Sequence, residues 1–575
     1  MYIRKINIKK DGKSHAYWAL VESRRTPRGP RQHVIAYLGA MDTSGRLGIK
    51  MAAEGRSDFQ EDLFENQEPE WIEVNLKAVR TERVFGFGDI WLALELIKRL
   101  GLDEFFHRFI PKGRGVIPWA DMAIVLIIAR FCDPKSELYI AEHFYSHSSL
   151  PFLVGIPTDK IYVNRLYRAL DKLLPHKEEL EIHLKERFGT LFQIHYDLLL
   201  YDITSTYFEG ECKDNEQAQR GHSRDKRPDC KQVLIALVVT REGIPLGYEI
   251  FDGNRHDSTT VKDIVTNIED KYGTADRIWV MDRGMVSAKN ISFLQQSNRR
   301  YIIGTPKSML KKFEKQLLSK EWHTIHEGIE VQYCPSADGE ETFILCRSAS
   351  RKEKDKAIFE RFKKNIQDGL SKIEKACDKG QVKEISVAER RIGRLLQRNT
   401  RAARLFDITV QKEDSGKIVL SWSQRKQIEE WVALSNGCYL LRSNITDWSA
   451  QELWQAYIHL TDAEEAFRIH KSDLNLRPIW HYNKERVQAH ILVCFLAFVL
   501  WKCLAQMCKQ AGLGNEPRKI VDELQHINLT EVILPTRTGV ELKLNCVSKP
   551  DPYQQIILEH LNLTLPSRLA ESNKM

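Results

Sequence analysis

The stretch 196-YDLLLYDITSTYFEG-210 sets one acidic residue, Asp202, inside an apolar run and follows it with small hydroxyl-bearing residues. The segment DLLLYDIT has the composition of a strand. A carboxylate flanked by apolar residues is costly to leave charged and alone, so Asp202 is a strand-borne salt-bridge partner or a working group. The Ser and Thr residues that follow leave space beside it.

Outward from this strand the chain continues in an ordered series. KQVLIALVVT and PLGYEIFDG read as two more strands joined by the turn REGI. TTVKDIVTNIEDKYG is helical, RIWVMD is a short strand ending in Asp282 with Gly284 just beyond, SAKNISFLQQSN is helical, and YIIGT is a last strand. Three strands, helix, strand, helix, strand is the order of a ribonuclease H-like α/β fold. In that order the first and fourth strands are neighbours, which brings Asp202 and Asp282 to one sheet edge.

A third acid comes from 457-YIHLTDAEEAFRIHKSDLNLRPIWH-481. Ser449 and Glu452 have capping-box spacing and Pro478 lies beyond the far end, which predicts a helix over about 450–473. Its apolar stripe runs Leu453, Tyr457, Leu460, Phe467, and Glu464 stands where the missing member belongs. Glu465 is rotated about 100° away and is expected to be solvated. The partner of Glu464 is then either a cation on its own helix, Arg468 or Lys471, or a metal ion shared with the two aspartates. Magnesium takes oxygen ligands and is commonly held by carboxylates plus substrate phosphate oxygens. A pair of such ions about 3.5–4 Å apart can clamp the attacking and departing oxygens of a displacement at phosphorus. Three crowded acids without a cation are expected to be strained or partly protonated.

With 575 residues the chain exceeds one core, and about two to four domains are expected. The net charge of +8 is compatible with a polyanionic partner without demonstrating one. Eleven cysteines contain no CxxC pair, and Cys212, His222 and Cys230 lack zinc spacing, which reads as reduced thiols in a cytoplasmic protein. MYIRKINIKK is not a secretion leader, and the apolar run Ile491–Trp501 is too short to span a bilayer, so no membrane partner is expected. The division predicted is a β-rich region 1–75, a helical region 76–195, a first core part 196–306, an insertion subdomain 307–440, a second core part 441–510 and a tail 511–575. In the first region RRTPRGPRQ reads as an Arg-rich hairpin tip or a basic arm on DNA. In the second, YVNRLYRALDKLL turns Leu166 and Leu170 to one side and Arg165, Arg168 and Lys172 to the other, which suits a DNA-reading helix or an ordinary surface helix. The charged run 347–379 reads as a solvated helix face.

The segments DITSTYFEG, GHSRDKRPD, IPLGYEIFDGNRHD, VMDRGMVS, EEAFRIHKSDLNLRPIWH and ERVQAHILVCFLAFVL, in that order, resemble insertion-sequence transposases of the DDE class. Tyr457, Glu464 and Lys471 fit the C-terminal signature Y-x2-R-x3-E-x6-K of one subgroup, while Leu460 occupies the arginine position, which Arg468 or Arg477 would have to replace. The resemblance implies a ribonuclease H-like core interrupted by an insertion, with Asp202, Asp282 and Glu464 as catalytic ligands of Mg2+, for which Mn2+ can substitute. It implies cut-and-paste transposition: binding of double-stranded DNA at terminal inverted repeats, strand hydrolysis to free a 3′-hydroxyl, and joining to target DNA by a homodimer. Tyr457 and Lys471 would hold phosphate, with Arg468, Arg283, His222, Arg224 and Lys226 as further backbone contacts and Asn254 and Asp257 as supports. The setting implied is the nucleoid of a bacterial or archaeal cytoplasm. Rival readings are a ribonuclease H-like nuclease or resolvase that cuts without joining, and a non-catalytic DNA-binding derivative.

Overall fold

The structure, a computed structural model, describes residues 2–10, 13–26, 29–39, 72–113, 115–413 and 416–569. It divides into one unit of residues 1–76 with 535–540 and another of 77–534 with 541–575. In the first, strands β1 (Tyr2–Lys10), β2 (Lys13–Thr26) and β3 (Gly29–Gly39) form an antiparallel meander. β2 and β3 bear out the β-rich reading of this region and reach into the Arg-rich turn, pairing Arg24 with Arg31 and Thr26 with Gly29. Arg28, and with it the tip of the basic arm, lies outside the described residues.

The second unit opens with β4 (Arg80–Gly86) and the helices α1 (Gly88–Arg99), α2 (Leu102–Phe109), α3 (Trp119–Cys132), α4 (Val163–Leu173) and α5 (Lys177–Phe192). The core follows: β5 (Leu198–Tyr207), β6 (Gln232–Thr240), β7 (Pro245–Asp252), α6 (Val261–Tyr272), β8 (Ile278–Met281), α7 (Ala288–Gln296) and β9 (Arg300–Gly304). β6 is buried along its whole length, which its unbroken apolar run requires. It pairs antiparallel with β5 and β7, while β8 lies parallel to β5 and β9 parallel to β8. The order β7-β6-β5-β8-β9 is the ribonuclease H-like arrangement.

The 307–440 region does not stand apart as an insertion subdomain in full. Strands β10 (His323–His326), β11 (Ile329–Pro335) and β12 (Thr342–Ser348) continue the core sheet to nine strands. Between them and the core lies the later strand β15 (Cys438–Ser443), antiparallel to both β12 and β9. Only the remainder has its own core: α8 (Ala349–Asp378), α9 (Ile385–Arg398), the hairpin β13 (Phe406–Lys412) and β14 (Ile418–Gln424), and α10 (Lys426–Ser435) gather around Ile366, Leu370, Leu405 and Leu420.

After β15 come α11 (Ala450–Ile458), α12 (Leu460–Arg468), a wider helical turn Ile469–Asp473, and α13 (Lys484–Gln510). The expected helix over 450–473 is thus interrupted at His459, and its Ser449–Glu452 capping box is present. α13 has 27 residues, longer than its apolar run suggested, and by length and composition could cross a bilayer, but its apolar stretch is wholly buried. A helix apolar on every side needs cover on every side, and α1, α3, α4 and α5 supply it. The expected boundary between a helical region and the core is therefore a packed interface within one unit. The tail is also folded: α14 (Pro517–Leu524), β16 (Asn528–Pro535), β17 (Glu541–Val547), α15 (Pro552–His560) and β18 (Arg568–Leu569) follow, and β16 pairs with β4.

Candidate active site

Side chains alternate along a strand, so β5 presents two faces. Leu199, Tyr201 and Ile203 enter one buried cluster; Leu198 and Leu200 enter another that holds Leu460, Ala463, Ala466 and Phe467 of α12. Asp202 shares the second face and is directed towards α12, which packs on β5. Tyr201 pairs with Met281, the last residue of β8, so Asp282 follows at the neighbouring strand end and opens the turn Arg283–Met285. α12 carries Glu464 over both. The three acids line one cavity of about 310 Å³, together with Thr204, Arg224, Asp257, Gly284 and Phe467.

Glu464 is exposed rather than buried in the stripe, because α12 crosses an opening at this point and not the core. Among the described residues its carboxylate has no hydrogen-bond or ion-pair partner. The cations that could have satisfied it are engaged elsewhere: Arg468 pairs with Glu465 at 3.4 Å and Asp473 at 3.2 Å, and Lys471 with Asp225 at 2.8 Å. Burial pushes the Asp202 carboxyl up to about 7, against the Ile203 N–H that it accepts at 2.8 Å, with repulsion from Asp282 and Glu464 adding to the rise and Arg224 opposing it. Burial and then Asp282 raise Glu464 as well. The upward shifts of Asp202 and Glu464 mark a crowding of negative charge that a divalent cation would compensate. The donor set, carboxylate oxygens around an open cavity, suits a hard divalent ion that keeps some of its waters. It is a wide cradle, since the three carboxylates are not drawn together within the 4.8 Å that encloses the metal-competent group found elsewhere among the described residues.

Asp282 and Glu464 also line a second cavity of about 860 Å³, which runs against the insertion helices and carries Arg283, Lys307, Arg351, Arg401, Arg404 and Trp431. Tyr457 lies between, its hydroxyl donating to Asp282 Oδ1 at 3.5 Å. A side chain on Gly304 would collide with that hydroxyl. Leu460, in the arginine position of the signature, lines this same cavity. Neither expected substitute is there: Arg468 is paired as above, and Arg477 donates to Asp225. Arg283, Arg351, Arg401 and Arg404 are the guanidinium groups that share this cavity with the acids instead. The charged run of α8 is thus not wholly a solvated face, and nothing in its composition separates Arg351 from its neighbours.

Other expected residues are placed as follows. Arg224 donates to Asp257 at 2.5 Å on the wall of the carboxylate cavity. His222 and Lys226 are exposed on the same loop, and Asn254 is exposed outside the cavity lining. Lys471 is buried on Asp225, whose side chain is 3 % exposed; burial lowers the lysine pKa and Asp225 opposes that. Asp225 is the residue missed by the sequence reading. On α4 Leu166 and Leu170 are buried as expected, Arg168 is exposed, and Arg165 donates to Lys160 O at 2.7 Å. Cys212, His222 and Cys230 form no metal-competent group among the described residues, and all eleven cysteines are free.

The family described as "Transposase DDE domain" matches residues 193–500, more than half of the chain and the whole of the carboxylate cavity. The chain belongs to the DDE transposase domain family. Residues 3–68 match a second family, the N-terminal domain of IS1634 family transposases. Together these make the protein an insertion-sequence transposase, a DNA-cleaving and transposing enzyme of a family that uses divalent metal ions. Among solved structures it is similar to the piggyBac transposase synaptic complex with hairpin DNA, at 8 % identity over 79 % of this chain and 82 % of that one, with a TM-score of 0.37. No curated protein matches the chain.

Proposed function

We propose that Asp202, Asp282 and Glu464 are the catalytic carboxylates of cut-and-paste transposition and hold Mg2+, with Mn2+ as a substitute. The observation that carries this reading is the single cavity lined by all three acids, in which Glu464 has no cation among the described residues. When bound, the divalent ions polarise the scissile phosphate and lower the pKa of an attacking water or 3′-hydroxyl. Asp202, within β5, and Asp282, just past the end of β8, fix the ligand oxygens from a rigid sheet, and α12 brings Glu464 over them. Tyr457 orients Asp282 through its hydroxyl and faces the larger cavity.

That cavity offers a DNA strand several cations beside an aromatic face, which suits phosphates and an unstacked base. Arg283, Arg351 and Arg404 hold the phosphate that the absent signature arginine would hold. Arg224 steadies Asp257 at the wall. Lys471 acts at one remove: with Arg477 it fixes Asp225, and so the loop bearing His222, Arg224 and Lys226, against the end of α12. Arg168 and Arg165 on α4 contact end DNA at a distance from the chemistry, and Arg468 meets backbone on the outer face of its helix.

The substrates on this reading are terminal inverted repeats and target DNA, brought together by a homodimer at the nucleoid of a bacterial or archaeal cytoplasm. The test is strand cleavage and joining on the element's own ends with Mg2+ or Mn2+. Asp202→Asn, Asp282→Asn and Glu464→Gln are each expected to abolish both steps while end binding persists. Pre-cut ends supplied with a target plasmid yield joined products from a transposase and none from a nuclease.

A further inference from the structure

Away from the carboxylate cavity, a second cluster of ligand-type side chains is closed off inside the fold. Glu137 follows α3, His481 lies in the segment before α13, and His490 sits two turns into α13. All three are buried, with side chains 7 %, 8 % and 8 % exposed, and one potential ligand atom from each falls within 4.8 Å of the others. His481 Nε2 stands 3.2 Å from Glu137 Oε1, and His490 Nδ1 stands 3.8 Å from that same oxygen. His490 Nδ1 has no hydrogen-bond partner, although it is buried and aimed at the carboxylate. A buried ring nitrogen that faces a carboxylate from beyond hydrogen-bond distance calls for an explanation.

The spacing supplies one. Ligands held about 2.0–2.2 Å from a tetrahedral ion stand roughly 3.3–3.6 Å from one another, and the two distances to Glu137 Oε1 bracket that range. Two imidazoles and one carboxylate form the ligand set of a zinc-type ion, whereas magnesium would seek oxygen alone. The far side of the His490 ring meets Cys494 Sγ at 3.9 Å, and the ring of Tyr167 abuts that of His481 edge-on, so both imidazoles are held in place. Arg130 lies within Coulombic reach of His490 and works against a cation, so the site is expected to be weaker than one built from thiolates.

We propose that Glu137, His481 and His490 form a second metal site, structural in role, that takes a transition-metal dication of the zinc class and ties the helical segment after α3 to α13. Glu137 and His481 are 344 positions apart in the chain, so an ion here would clip one of the longest loops in the protein.

The test uses the full-length chain carrying D202N, D282N and E464Q, which removes the catalytic ligands from the metal count. After loading with Co2+ and dialysis, the expected result is one retained equivalent with visible ligand-field bands of a histidine-bound ion, and a higher Tm with Zn2+ than after chelation. Adding His490→Ala or His481→Ala is expected to lose the equivalent, the bands and the Zn2+-dependent Tm shift. Glu137→Gln, which keeps the side-chain shape, is expected to weaken metal retention at least about tenfold and carries the comparison if a histidine variant does not fold. No retained Co2+ in the parent chain, or the same stoichiometry and spectrum after the histidine and glutamine substitutions, would overturn the proposal and leave a hydrogen-bonded core cluster.

Discussion

Glu464 and Lys471 stand seven positions apart on one helical segment and show two ways of treating a charge. At Lys471 the charge is answered within the protein: Asp225, itself almost closed to solvent, receives it together with the part-exposed Arg477. At Glu464 three acids share a cavity, and Asp202 and Glu464 are pushed towards the protonated state by burial and by the neighbouring Asp282. A protein tolerates such an unanswered set where something from outside completes it. The first arrangement stabilises the chain, and the second, on the proposed reading, leaves it prepared for a cation and a phosphodiester.

The strongest way to break this contrast is to neutralise an acid of the open set. Asp282→Asn is expected to lower strand cleavage on the order of 10⁴-fold, about 5.5 kcal/mol in the barrier, read as nicked end DNA per unit time, with the fold intact. Removing the acid of the closed set should do the reverse. Asp225→Ala leaves the largely enclosed Lys471 and the part-exposed Arg477 without their shared partner and is expected to cost about 1–3 kcal/mol of stability by denaturant titration; a loss of cleavage without loss of stability would move Asp225 into the chemistry. Next in size is the basic wall: Arg351→Ala with Arg404→Ala should weaken end binding roughly tenfold and reduce the salt slope by about one per lost phosphate contact, without a change of sequence preference.

The smallest effect sharpens the electrostatics. Because the Asp202 pKa is raised in the folded chain to about 7, that carboxyl favours folding in its protonated form, and the benefit is lost as pH climbs from the usual carboxylate range through 7. Metal-free Asp202→Asn is therefore expected to gain at least about 1 kcal/mol over the parent at pH 8 and to match it near pH 4. By the same sign, the parent's apparent affinity for Mn2+ should rise with pH up to about 7 and level off above it. Glu465→Gln, on the pair with Arg468, should change neither property.

The sequence displayed the central strands well because their signal is local. The run around Asp202, the end of β8 at Asp282 and the gap in the stripe at Glu464 can each be read from neighbouring residues. What it concealed depends on partners far along the chain. Asp225 meets Lys471 across 246 positions, and the strands after residue 307 join the sheet through β15, which arrives about a hundred residues later. Periodicity assigned Glu464 to a packed stripe, but it cannot tell a core from a cavity; only the crossing of α12 over the strand ends does. The basic wall was hidden for a related reason, since Arg351 gains its meaning from where α8 is carried. Glu137, His481 and His490 escaped because their spacing follows no linear metal motif.

The most direct test of the account is anomalous scattering from crystals of the transposase grown with Mn2+ and its cleaved end DNA. The account predicts manganese density in coordination contact with Asp202, Asp282 and Glu464, beside the new 3′-hydroxyl end. Manganese bound without Glu464, or a Glu464 side chain turned away onto Arg468 or Lys471 with DNA in place, would contradict it.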